Sequence, residues 1–139
     1  MATSDNPITL TSGDDTLNNT LAGATILALD GNDSVRNSVA KVSIDAGEGK
    51  NTIENSGYRV TINGGAGYDS ISNAGSKVTI NAGAGNDYIA NSGSNVTIHA
   101  GKGIDRIYND GNYVTINAGA GNNSINSSGK NVLVLVNGN

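Results

Sequence analysis

Five aspartates share one place in a strict repeat. Asp15, Asp33, Asp69, Asp87 and Asp105 fall on a single 18-residue register, and Asn51 and Asn123 take the two remaining places. Stacked carboxylates of this kind can hold a hard cation. In neighbouring strands they would lie about 4.8 Å apart, and Asp is too short to swing away. Unscreened like charges at that separation cost on the order of 1 kcal/mol or more per pair. A divalent cation between two coils reverses the sign of that term. Calcium suits the position because it accepts about six to eight oxygens, from carboxylates and from carbonyls. The glycines beside the column, Gly13, Gly31, Gly65, Gly67, Gly83, Gly85, Gly101 and Gly103, expose such carbonyls. The absence of cysteine and of a histidine column argues against zinc. The pairs Asp15/Asp33, Asp69/Asp87 and Asp87/Asp105 are the expected sites. Asn51 and Asn123 can lend an amide oxygen but no charge, so sites there should be weaker or empty. The alternative is that these Asp and Asn side chains only close Asx-type turns on the backbone.

The elements that would position this column repeat with it. Aliphatic residues recur at Ile8, Ile26, Ile44, Ile62, Ile80, Ile98, Ile116 and Val134, and again at Leu17, Val35, Ile53, Ile71, Ile89, Ile107 and Ile125. A fixed period of this length marks a solenoid of stacked coils. One coil, Ile80 to Thr97, divides into two nine-residue halves, each a short strand and a turn. Alternation turns Val96, Ile98 and Ala100 inward and Thr97 and His99 outward; around Ile89 it turns Tyr88 and Ala90 outward. The pattern predicts an all-β fold: a parallel β-roll of two parallel sheets, 18 residues per coil and about seven coils. Crossovers between parallel strands favour a right-handed coil. The roll should span 8–133, with a tail at 1–7 and an end strand or cap at 134–139. A column from Asn19 through Asn37, Asn55, Asn73 and Asn91 to Asn109 marks the second turn, where stacked amides can bond along the axis.

Composition explains why a metal would be useful. The 139 residues include no Phe, no Trp and 20 glycines, so little bulk is available for a core. Disulfides are excluded by the absence of cysteine, which leaves a bound ion as the next reinforcement. A net charge of -4 argues against nucleic acid or an anionic membrane surface as partner. No apolar run is long enough to span a membrane. Residues Met1 to Asn6 lack the layout of a secretory signal. The chain is then cytosolic, an excerpt, or exported by a route that leaves no N-terminal signal.

The first turn of each coil resembles the repeats-in-toxin (RTX) nonapeptide, G-G-x-G-x-D-x-aliphatic-x. Gly64-Gly65-Ala66-Gly67-Tyr68-Asp69-Ser70-Ile71-Ser72 matches in full, and the copies starting at Ala82 and Ala100 differ only in the first Gly. Ser12 to Leu17 and Asp30 to Val35 keep only the later half. The resemblance implies a calcium-binding structural β-roll of a secreted or cell-surface protein, disordered at low calcium and exported on a C-terminal signal. The chain departs from the family in its second half-coil. Asn91-Ser92-Gly93-Ser94-Asn95-Val96 carries Val where the ligand would stand, and that edge gathers Lys41, Arg59, Lys77 and Lys130. Calcium is expected on one edge only.

Other function classes have less to stand on. An enzyme is not expected: the one histidine, His99, sits in an outward column, and no serine lies in an activating motif. The outward pairs Thr61/Asn63, Thr79/Asn81, Thr97/His99 and Thr115/Asn117 form polar columns that could meet ice, a glycan or another surface. Thr is also simply a good exposed strand residue. At the C-terminal end Leu133 and Leu135 replace Thr and Asn, an apolar face that suggests self-association, a cap, or the cut end of a longer array.

Overall fold

The structure is a computed structural model and describes residues 7–136. Residues 1–6 of the expected tail and 137–139 of the expected end strand lie outside the described residues. Every described strand pairs in parallel, and each register is offset by one coil, as in Ile62↔Ile80 and Ile71↔Ile89. Eight strands, from Ile8–Thr9 to Leu133–Leu135, form the first sheet, and seven, from Thr16–Asn19 to Ser124–Ser127, form the second. Within each sheet, neighbours along the stack come from successive coils. This is the two-sheet β-solenoid of 18-residue coils that the period predicts.

The core is as thin as the composition requires. In one coil Val96, Ile98 and Ala100 of the first sheet are buried, and Ile89 of the second is buried with them. Ten isoleucines from Ile26 to Ile116 are fully buried, each contributing roughly 1.5–3 kcal/mol of apolar burial. The alternation continues past the aliphatic residue at both ends of the second-sheet strand. Asp87, Ile89 and Asn91 therefore share the inward face, and all three are buried. Polar side chains thus close the two edges of the cross-section.

Glycine is required where coils touch backbone to backbone. Gly83 has φ 111°, and a Cβ there would lie 2.0 Å from the Gly65 carbonyl oxygen. The second turn tolerates the left-handed region without glycine: Lys41, Arg59 and Lys77 sit at φ 62°, 57° and 57°. Their stems extend from that turn, and Arg59 and Lys77 lie 5.3 and 5.6 Å from the Tyr58 ring. The basic edge is thereby packed as well as charged.

Candidate metal edge

The two edges are built from the same element, a side chain bonding both its own turn and the next coil. On the second edge this is an amide ladder. Asn55 Nδ2 donates to Asn73 Oδ1 and Asn73 Nδ2 to Asn91 Oδ1, each at 2.8 Å. Asn73 also accepts from the Gly75 N–H and donates to the Gly75 carbonyl. Both ends of every amide are used, so the column is structural, as its turn position predicts.

The first edge has the same geometry on one side only. Asp69 N–H donates to Asp87 Oδ1 and Asp87 N–H to Asp105 Oδ1, both at 2.9 Å. Asp15, Asp33, Asn51 and Asp105 donate their N–H groups in the same way to the next column member. The second carboxylate oxygen is different. Oδ2 of Asp33, Asp69, Asp87 and Asp105 is buried and accepts no hydrogen bond. Such a group costs free energy unless something positive reaches it.

The two asparagines of the column show what the position lacks. Asn123 Nδ2 donates to the Ala118 carbonyl at 2.7 Å, and Asn51 Nδ2 reaches the Gly64 carbonyl at 3.5 Å. Where Asp replaces Asn, an oxygen stands in the place of that donor. Around Asp69 the surroundings include a further oxygen: a Cβ built on Gly64 would meet Asp69 Oδ2 at 2.6 Å and the Ala82 carbonyl at 2.5 Å. Gly64 stands where neighbouring coils carry Ala28, Ala46, Ala82, Ala100 and Ala118, and a side chain there would collide with the carboxylate.

Burial raises the carboxyl pKa values of Asp33, Asp69 and Asp105 above the usual range. Asp87 is pushed up to about 6, first by burial and then by the Asp69 and Asp105 charges on either side. Asp15 belongs to the column but not to this group. Its Oδ2 accepts from the Thr11 N–H at 2.8 Å and from the Thr11 hydroxyl at 2.7 Å.

The glycines named from the sequence line the same turn but spend part of their backbone on the stack. Gly67, Gly85 and Gly103 donate to the carbonyls of Ala84, Lys102 and Ala120, and Gly31 donates to Glu48. Gly65, Gly83 and Gly101 lie in register in the first sheet, and the Gly101 carbonyl accepts from Ala120. Gly13 has its N–H on the Thr11 hydroxyl. The carbonyls that column side chains reach belong instead to Gly64 and Ala118. The signal for these was the small-residue column itself, which marks the place where an edge side chain meets the facing strand.

As a donor set for a cation, the run Asp69, Asp87, Asp105 fits in chemistry: buried carboxylate oxygens without hydrogen-bond partners. The asparagine positions do not fit, because each amide nitrogen already covers the carbonyl. Among the described residues no three His, Cys, Asp or Glu side chains cluster, so carbonyls or water would have to complete the coordination. The fold and this edge define a parallel β-solenoid repeat protein with a buried acidic column. Comparison of the chain with protein-family models, with curated proteins and with solved structures finds no match.

Proposed function

We propose that the chain is a structural β-solenoid module stiffened by calcium bound along one edge. The observation that carries this reading is the line of buried Oδ2 atoms at Asp69, Asp87 and Asp105, each lacking the donor that asparagine supplies elsewhere in the column. Bound calcium would supply the missing positive charge and tie successive coils together through oxygens of both. No side-chain chemistry is needed beyond this, and the role is mechanical. Its setting would be outside the cell, where calcium is plentiful, in keeping with the RTX resemblance. A calcium titration of metal-free protein tests the reading: stabilisation and saturable binding support it, and indifference to calcium removes it.

A second reading has one observation of its own. Asn51 and Asn123 keep the column closed without any ion, and a protonated aspartate could do the same. The module would then be a metal-independent scaffold, acting by adhesion or self-assembly. The outward Thr/Asn columns offer less to an ice or glycan ligand than their sequence suggests. Asn81 Nδ2 is already bonded to Asn63 Oδ1 at 2.8 Å, so those amides serve the sheet.

A further inference from the structure

Tyr68, Tyr88 and Tyr108 are spaced by 20 residues in a chain that repeats every 18. Each therefore stands one coil further along the axis and two residues further along the coil. That makes a diagonal across the second sheet and its adjoining turn. All three are exposed, and the Tyr88 and Tyr108 rings lie 5.6 Å apart at a 41° tilt. An open cleft of about 320 Å³ lies on this diagonal, lined by Tyr68, Asn86, Asp87, Tyr88, Ile104 and Arg106. Its volume is within the range of small-ligand sites.

The lining breaks the local sequence rules in a consistent way. The column of Tyr88 and Arg106 otherwise holds Thr16, Ser34, Thr52, Ser70 and Ser124, all small hydroxyl residues. Ile104 is the one aliphatic residue in a turn column otherwise filled by Asp14, Asn32, Lys50, Tyr68, Asn86 and Asn122, and it is 56% exposed. Lys50 Nζ sits 5.2 Å from the centre of the Tyr68 ring, which helps fix that ring. Asn86 Oδ1 accepts from the Ile104 N–H at 2.8 Å, which fixes that end of the amide at the cleft. Arg106 has no ion pair among the described residues.

We propose that this cleft binds a neutral glycan of β-1,4-linked N-acetylglucosamine. Pyranose rings with equatorial hydroxyls present flat C–H faces, which stack on exposed tyrosines, and a glycan chain can follow the line of rings across the sheet. Ile104 offers an apolar place for the acetyl methyl. The Asn86 amide and the Arg106 guanidinium supply donors for the acetyl carbonyl and ring hydroxyls. A polyanionic glycan is disfavoured by the net charge of -4. The proposal does not depend on metal at the buried column.

Calorimetric titration of the folded chain with chitohexaose tests it, with cellohexaose and a hexauronate as comparators and sedimentation of the free protein alongside. Saturable binding of chitohexaose that exceeds cellohexaose is the expected result. Tyr88→Ala and Tyr108→Ala should each weaken it roughly three- to tenfold, the worth of one ring contact. Tyr113→Ala, on the opposite edge, should leave it unchanged. Circular dichroism of each variant separates lost contact from lost fold. Absence of chitohexaose binding overturns the proposal, as do equal binding of the two neutral glycans and binding confined to the hexauronate. A dimer dissolved by Tyr88→Ala without any glycan binding would assign the cleft to a second copy instead.

Discussion

At the scale of the residue, the question is what one buried oxygen does when its partner is missing. Asp87 uses Oδ1 as its asparagine counterparts do and leaves Oδ2 buried without a hydrogen-bond partner. Asp87→Asn should therefore stabilise the metal-free protein, by about 1–2 kcal/mol, because a donor replaces a desolvated charge. Thermal unfolding in chelator measures this; a loss of stability there would show that the carboxylate is already well served. The same environment fixes the direction of the pH dependence. The folded-state pKa of Asp87 is raised from 3.8 to about 6, so over that interval the folded chain holds more protons than the unfolded one. Without metal, the penalty is fully present above the folded value and is relieved as pH falls toward the unfolded value. Metal-free protein should melt higher at pH 5 than at pH 7.5. With calcium the charge is neutralised instead, and the trend should reverse as protons displace the ion.

At the scale of the element, the coil is held by two edge ladders of unequal quality. Asn73 makes four side-chain hydrogen bonds, two along the axis and two to its own turn. Asn73→Leu would take one of two partners from Asn55 Nδ2 and from Asn91 Oδ1 and strand the Gly75 backbone in a buried setting. The expected cost is on the order of 3 kcal/mol, read as a lower denaturant midpoint, whereas an exposed change such as Ser72→Ala should fall within about 0.5 kcal/mol. Much of this was legible in the sequence. The period placed every strand, and alternation assigned Val96, Ile98 and Ala100 to the interior, where they are. The Asn column announced its ladder because Asn at a fixed turn position has few other uses. The inward aim of the aspartates was also available, since Asp87 is two residues from Ile89, but it is obscured when a turn residue is read as solvent-facing. The carbonyls of Gly64 and Ala118 were not legible as partners, because which strand faces an edge depends on how the two half-coils close. The tyrosine diagonal escapes any comparison made column by column.

At the scale of the whole molecule, a solenoid is as complete as its ends. Leu133, Val134, Leu135 and Val136 are exposed, and among the described residues no strand pairs beyond Leu133–Leu135. A free parallel edge with an apolar face is a surface for another chain. This chain should associate through that end with rising concentration, and Leu133→Lys with Leu135→Lys should return it to monomer. Sedimentation velocity over a hundredfold concentration range decides the point, and a monomer throughout would refute it.

The central claim joins all three scales: oxygens left without donors on one edge stack into a column that takes calcium and stiffens the solenoid. Calorimetric titration of metal-free protein with calcium at neutral pH, for the wild type and Asp87→Asn, tests it most directly. The account predicts saturable binding of about two ions in the Asp69–Asp105 run. It also predicts a raised melting temperature on saturation, with both effects sharply reduced in Asp87→Asn. No binding heat and identical melting in chelator and in millimolar calcium would contradict it.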